Sequence, residues 1–332
     1  MLNFKTTYYL CVIFDGDGGK LAKLMDILRQ VRKPVRFYST IEFIIIHLVP
    51  LLAIWTGATM FDWMVCIGFY LIRMFFVTGF YHRYFSHKTF KTSRVFQFIM
   101  AFLAESSLQK GVLWWAAHHR VHHRTSDTAD DPHSMKIYGF WYSHLGWILG
   151  PDYKQTDFEG ISDFARYPEL RWISKYHLIP PVFFALLIMA LGGIVNGGSI
   201  IFMFGAAGFS TLFIGFFLST VMLYHGTFSI NSIMHKLGRQ RYDSGDESRN
   251  SIVLALVTLG EGWHNNHHYY ESSARQGFFW WEVDITYYLL KIMSWLGLIW
   301  DINEVPKYIK YSKNKKEAHL LKKKYQQLKQ PA

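Results

Sequence analysis

Cysteine is nearly missing from this chain: its 332 residues include two, Cys11 and Cys66. Two thiols cannot build a disulfide framework or a thiolate metal site, so both read as small apolar residues. There is no dinucleotide fingerprint of the G-x-G-x-x-G type, no His-Pro-Gly-Gly haem-binding stretch and no cysteine set for an iron–sulfur cluster. Any electrons the protein uses must therefore come from a partner. No repeat recurs at solenoid periods. No signal peptide is expected, because the apolar patch Tyr8 to Phe14 is too short and lacks a small-residue cleavage site. Asp15-Gly16-Asp17-Gly18-Gly19 has the spacing of neither a phosphate loop nor a calcium loop and reads as a turn.

Charge is also missing where a soluble protein would need it. From Leu178 to Tyr224 there is no Asp, Glu, Lys or Arg. The run is interrupted by Gly192-Gly193 and Asn196-Gly197-Gly198, leaving halves of about 20 residues, each long enough to cross a ~30 Å hydrocarbon layer. A helical hairpin spanning twice is the expectation. An earlier pair covers Ile41 to Met60 and Trp63 to Phe80, joined at Phe61-Asp62, with Arg73 inside the second span. A cation there is costly in lipid and is expected to face the protein interior or snorkel.

Four spans place both termini and the long central segment on one side. Of the 35 Lys and Arg residues, all but Arg73 fall on that side. The positive-inside rule makes it cytosolic. The net charge of +11 then suits anionic lipid headgroups, and no nucleic-acid partner is required. Three parts are expected: an N-terminal cytosolic segment (1–40), a domain of four spans plus cytosolic cap (41–302), and a basic tail (303–332). The tail is Lys-rich from Lys307 and is expected to form a basic surface helix or to fray.

What the chain has in excess is histidine, with 16 residues. Eight fall in three tight groups: His82 and His87 in HRYFSH, His119, His122 and His123 in HRVHH, and His264, His267 and His268 in HNNHH. Residues three and four apart share a helix face, so each of the last two groups can point three imidazoles into one volume. His82 and His87 lie about 140° apart on an ideal helix and would approach a site from different directions, or sit where the helix bends. All three groups fall on the cytosolic side. His47, His177 and His319 read as interfacial or hydrogen-bonded residues, and His118 is out of phase with its neighbours.

Eight adjacent imidazoles would repel on protonation, and a bound metal stabilises their neutral form. The donors are nitrogen-rich and sulfur-free, which suits Zn, Fe, Cu or Ni. Eight are too many for one ion, so two ions are expected. A carboxylate-bridged di-iron bundle needs two Glu-x-x-His spacings, and only Glu261 to His264 is placed for one. Asp127, Asp130, Asp131, Asp246, Glu247 and Glu261 lie near the groups and are candidates to orient the rings, Glu261 and Asp131 foremost.

At these boxes the sequence resembles the membrane fatty acid desaturase family, specifically its acyl-CoA (stearoyl-type) delta-9 desaturase group. The match is H-x4-H, H-x2-HH and H-x2-HH, in family order, over about Ile41 to Asp301. Asn231-Ser232-Ile233-Met234-His235 looks like the family's N-S-x-x-H element. Asp130-Asp131-Pro132-His133 and Gly260-Glu261-Gly262-Trp263 look like its flanking segments.

The resemblance implies an all-α fold: an integral-membrane four-helix transmembrane bundle under a cytosolic helical cap that carries a dimetal site. It implies two Fe2+ ions, with His235 as a ninth histidine ligand and Asn231 reaching a metal through water. Gln109, Trp115 and Thr227 match positions that shape the bend of an acyl tunnel. The implied activity is O2-dependent introduction of a cis double bond into a long-chain acyl thioester. An external donor would supply the electrons: a ferredoxin, a b5-type cytochrome or a reductase. Two departures stand out. Ala117 occupies the position of an Arg that contacts CoA in animal members, so a carrier protein or a membrane lipid becomes an alternative carrier. Phe228 replaces a tunnel Trp. The wording of the boxes is closer to bacterial members, which implies a bacterial inner membrane.

Two rivals have distinct signatures. A membrane alkane or fatty acid hydroxylase with the same metals would leave an alcohol. A metal transporter would place its polar ligands near the bilayer midplane, whereas these cluster at the cytosolic ends of the spans.

Overall fold

The computed structural model describes residues 37–150 and 155–327. Cys11, the Tyr8 to Phe14 patch, the Asp15 to Gly19 turn and the last five residues lie outside them. The described chain is helical, apart from one antiparallel pair, β1 (Lys91–Thr92) with β2 (Ile299–Trp300).

The first helix, α1 (Phe37–Leu48), tightens into a 3-10 turn at Val49–Leu52, where Pro50 removes a backbone donor, and continues as Ala53–Thr56. Gly57, at φ 78°, ends it. Then comes α2 (Met60–Ser86). Asp62, expected in the connecting loop, already belongs to α2: its carboxylate accepts from the Thr59 N–H while the Thr59 hydroxyl accepts from the Asp62 N–H. Asn196 and Thr211 also donate to Asp62, so this buried carboxylate ties α2 to the later hairpin.

Two shorter helices follow, α3 (Arg94–Glu105) and α4 (Val112–Thr125). After α5 (Pro168–Lys175) comes the hairpin, α6 (Ile179–Gly197) and α7 (Ala206–His235). Gly192 and Gly193 do not break α6 as the sequence suggests. They let the two arms touch: a Cβ on Gly193 would lie 2.5 Å from the Met203 nitrogen. The reversal comes at Gly198, which is left-handed at φ 80°.

Among the described residues three helices, α2, α6 and α7, are long and apolar enough to cross a membrane, by length and composition. The apolar helix Thr40–Thr56 is shorter. Their outward faces are mostly apolar, with Glu42 an exposed charge in Thr40–Thr56. Ile54 and Trp55 are each 78% exposed, and Ile201, in the turn that joins α6 to α7, 81%.

Arg73 faces inward and is fully buried. Its guanidinium donates to the Thr220 hydroxyl (2.8 Å), the Ser219 hydroxyl (2.6 Å) and the carbonyls of Phe69, Ser106 and Phe216. It also lies 4.0 Å from the Phe69 ring centroid. A buried cation is tolerated when its donors are filled this fully.

The cap is completed by α8 (His264–Tyr269), α9 (Ile285–Trp295) and α10 (Lys315–Gln327). The basic tail is stitched to it as far as Lys313. Asn303 N–H donates to Thr89 O, Tyr242 Oη–H to Lys310 O, and Asp243 N–H to Lys313 O.

Candidate metal centre

From Phe76 onward α2 winds more widely, with π-type i→i+5 hydrogen bonding. The His87 N–H donates to the His82 carbonyl (3.3 Å). Residues five apart, which an α-helix would splay, therefore return to one side, and their ring centroids are 4.9 Å apart. Of the two readings of His82 and His87, approach from different directions or a bend in the helix, the second holds, in the form of this π winding. Such π segments often mark functional sites.

The other two boxes each divide. On α4, His119 and His123, one turn apart, join His82, His87 and His267 in a group of five. On α8, His264 and His268, also one turn apart, join His122 and His235 in a group of four. Each box thus sends its i,i+4 pair one way and its middle histidine the other, where the sequence suggested one shared volume. The middle residue sits about 100° from the last one, so a pair of metal sites side by side takes both.

Within each group the donor atoms lie within 4.8 Å of one another. The Nε2 atoms of His82 and His267 are 3.0 Å apart, those of His87 and His119 2.9 Å, those of His123 and His267 2.9 Å, and those of His235 and His264 3.0 Å. With metal–nitrogen bonds of about 2.1 Å, two ligands at a right angle sit about 3.0 Å apart. Nε2 of His122 and of His268 are buried without a hydrogen-bond partner. Orphaned nitrogens aimed into a nest of nitrogens fit a metal ion in each group. The two groups adjoin, with the His123 and His268 rings 4.4 Å apart.

Behind the rings stand carboxylates. Asp131 accepts from His122 Nδ1 (2.9 Å), Asp127 from His235 Nδ1 (2.9 Å) and Asp246 from His268 Nδ1 (2.6 Å). Glu261 pairs with His82 Nδ1. Each bond fixes a ring with Nε2 pointing inward and raises its basicity as a ligand. Of the sequence candidates, Asp130 and Glu247 do not share this role. Asp130 is exposed, and Glu247 pairs with Lys136 and Arg249. Glu261 is itself held by Arg83, which also bridges to Asp284 and donates to Ala274 O. Gly260, at φ +129°, makes room: a Cβ there would lie 2.4 Å from Asp284 Oδ1.

Burial, and then repulsion from neighbouring rings, holds His119, His123, His264 and His267 well below the usual histidine range. His268 falls to about 4, burial outweighing the Asp246 carboxylate. His122 is the exception: burial would lower it, but Asp131, in contact with it, lifts it above the ordinary value. Neutral imidazole is the form that binds metal.

A narrow cavity of about 40 Å³ touches both groups, through His82 and His119 on one side and His122 and His264 on the other. Its remaining wall includes Met74, Val77, Trp115, Thr227, Ile230 and Asn231. The three residues matched to a tunnel bend form one bonded set. Gln109 Nε2–H donates to Thr227 Oγ1 (3.0 Å), and Trp115 Nε1–H donates to Gln109 Oε1 (3.4 Å). Trp115 also stacks on His119, centroids 4.9 Å apart. Asn231 is held through its carbonyl, which accepts from Ser143 Oγ–H (2.7 Å). Ala117 is buried in the core rather than on the surface, and Phe228 packs on Tyr224 and His144 outside the cavity wall. His118 donates from Nδ1 to Trp114 O and stays out of both groups.

Sequence reasoning missed several supports. Asn265 and Asn266, inside HNNHH, stitch the third box to the cap. Asn265 Oδ1 accepts from Arg241 N–H and Tyr242 N–H, while Asn266 Nδ2–H donates to Gln276 O and Glu282 Oε2. His133 lies against His122, ring centroids 4.3 Å apart. Glu271 approaches both His123 Nδ1 (3.0 Å) and His87 Nδ1 (3.6 Å). The only available signal for Glu271 was its place three residues after the last box.

The comparisons agree with this geometry. The family described as fatty acid desaturase matches residues 61–291. An sn-2 palmitoyl-lipid 9-desaturase of Nostoc sp. is 34% identical over 273 residues, covering 80% of this chain and 89% of that protein. An acyl-CoA 5-desaturase of Anemone leveillei is 34% identical, covering 77% and 76%. An sn-1 stearoyl-lipid 9-desaturase of Anabaena variabilis is 31% identical, covering 84% and 97%. With a match across the bundle, the boxes and the cap, the chain belongs to the fatty acid desaturase family.

Proposed function

We propose that this chain is an integral-membrane oxidoreductase that desaturates a long-chain fatty acyl thioester with O2. The single observation that carries this is the cavity that touches both histidine groups, lined by four of their imidazoles together with apolar side chains such as Met74, Val77 and Ile230. Two iron ions are the metals we assign. His82, His87, His119, His123 and His267 would hold one, and His122, His235, His264 and His268 the other, with Asn231 beside them through water. When bound, the ions supply an oxidant strong enough to take hydrogen from an unactivated methylene, which no side chain can. The balance is R–CH2–CH2–R′ + O2 + 2 e− + 2 H+ → R–CH=CH–R′ + 2 H2O.

The residues of the chain do the positioning. Methylenes of an acyl chain are chemically alike, so the bond to be oxidised is chosen by geometry. Trp115, fixed by Gln109 and stacked on His119, sets where the chain turns. Met74, Val77 and Ile230 exclude water from it. We assign the delta-9 position and a CoA carrier, with carrier-protein and lipid-linked chains as the arms to test beside it. Buried Ala117 offers no cation to the CoA head, so any such contact falls to other residues.

Four spans are proposed, with Thr40–Thr56 joining the three longer helices. The exposed Ile, Leu and Phe on their outer faces would be covered by lipid. The histidine groups and both termini would then face the cytosol, and the inner membrane of a bacterium is the location we assign.

The test is expression in a host without unsaturated fatty acids that supplies electrons to a related enzyme. Its acyl chains should lose two hydrogens and gain a cis bond. A saturated profile counts against the proposal. Gain of one oxygen atom indicates a hydroxylase instead.

A further inference from the structure

Five carboxylates face the ligand rings, and four are sealed. The side chains of Asp131, Asp127, Asp246 and Glu261 are 1%, 5%, 8% and 8% exposed, whereas that of Glu271 is 52% exposed. Glu271 stands at the edge of an open cleft of about 320 Å³, which His87 and His123 also line. Ser86, Lys88, Arg120, Arg124 and Ser272 complete it. No residue of this cleft lines the acyl cavity. The five-histidine group therefore lies between two openings. His82 and His119 face the apolar one, and His87 and His123 face the polar one.

Resting on the desaturase reading, we propose that the cleft of Lys88, Arg124 and Glu271 is the port through which electrons enter, and that it docks an acidic redox protein. Each turnover needs two electrons, and the partner is oxidised as it gives them. Here a docked donor stands over the imidazole edges of two candidate ligands, His87 and His123, which line the cleft with side chains only 5% and 7% exposed, without crossing the substrate's path. Glu271 is a positioning residue: it holds His123, and more loosely His87, with those edges toward the cleft.

The charges choose the partner. Lys88, 58% exposed and paired with Asp163 (3.1 Å), and Arg124, also exposed, stand at the rim. Arg120 is the third cation, anchored by Asp163 and by the carbonyls of Phe85 and Ser86. Three cations against Asp163 and Glu271 leave a positive rim. It complements an acidic surface and speeds encounter more than it adds affinity.

The test uses the full-length protein in detergent with an acidic [2Fe–2S] ferredoxin as probe. Binding of oxidised ferredoxin is measured by titration calorimetry. Desaturation is measured with reduced ferredoxin and, separately, with dithionite. Lys88→Glu combined with Arg124→Glu should weaken binding and raise the KM for ferredoxin at least tenfold, with the dithionite-driven turnover unchanged. Lys136→Glu, over the four-histidine group, should change neither. Unaltered ferredoxin binding in the double variant overturns the port. So does a larger loss in Lys136→Glu. So does a parallel fall of both rates that Lys88→Gln with Arg124→Gln reproduces. Failure of the underlying desaturase reading looks different: the unaltered protein would form no double bond with either reductant.

Discussion

The four-histidine group is backed by Asp127, Asp131 and Asp246, all buried, while the five-histidine group has one buried carboxylate, Glu261 behind His82, and one outer carboxylate, Glu271, standing half in solvent. The buried three are fixed by more than the rings. Asp127 accepts from Glu247 N–H (2.8 Å), Asp131 from Asp127 N–H (2.9 Å) and His133 N–H (3.1 Å), and Asp246 from Ser248 N–H (3.0 Å). Among the described residues no backbone N–H donates to the Glu271 carboxylate. A buried carboxylate survives only with its lone pairs filled, so one group is locked, and the other has a ring partner that water or a docked protein can reach. The difference teaches that the two candidate metals share a ligand type but not an environment.

The largest effect should come from the locked side. His122→Ala removes a ring facing the cavity whose Nε2 has no other partner. Desaturation should become undetectable, while membrane insertion and expression persist. Residual activity at a tenth of the original would break the assignment of His122 as a ligand. Next comes Asp131→Asn, which keeps the shape and removes the charge behind His122. Loss of such a partner costs roughly 10–100-fold in metal affinity. Iron content after dialysis should fall from two toward one per chain, with the five-histidine group still loaded. Equal loss from both groups would erase the contrast.

These effects bear on what the sequence revealed. The three boxes, the three long apolar helices and, as one of two alternatives, the inward Arg73 were legible because each is a local pattern: spacing, apolar length or an isolated charge. The convergence of His82 and His87 was legible only as the alternative of a bend in the helix, because π winding depends on the packing of α2 and leaves no mark in a spacing that reads as α-helical. The division of HRVHH and HNNHH between two groups was not legible. It follows from where the neighbouring helices place the second site. Asp127 and Asp246 stood beside Asp130 and Glu247 with nothing to separate them. Asp127 turns inward from a left-handed residue, at φ 59°, and that is a property of the folded loop. Glu271 lies far from His123 in sequence, and only the fold brings them together.

A pH series on metal-stripped protein sharpens the comparison by stability instead of activity. His87, His119, His123 and His267 of one group, and His264 and His268 of the other, have folded pKa values below the ordinary value near 6.5. Between the two values the unfolded chain binds more protons, so stability falls as pH drops through about 6.5. His122, raised, works the other way: its contribution is present below that pH and is lost as pH rises through its folded value. Six lowered rings against one raised should dominate. Each pKa unit separating the states is worth about 1.4 kcal/mol, so the Tm should fall clearly between pH 7.5 and 5.5. A flat Tm would show that these rings are already hydrated in the metal-free state.

The smallest effect should be that of Glu271→Gln. The amide oxygen can still accept from His123, and Glu271 has no buried site to leave unsatisfied, so metal content should stay at two per chain. What changes is charge. A carboxylate behind a ligand imidazole stabilises the more oxidised metal, and its loss should raise the reduction potential of the five-histidine site while leaving the other unmoved. Water already screens half of this carboxylate, so the shift should be smaller than that of Asp131→Asn at the locked site. Potentiometric titration followed by Mössbauer spectroscopy reads the two sites separately. A shift at the five-histidine site as large as the one Asp131→Asn produces would mean that Glu271 is as sealed as its counterparts, and the two environments would then be one.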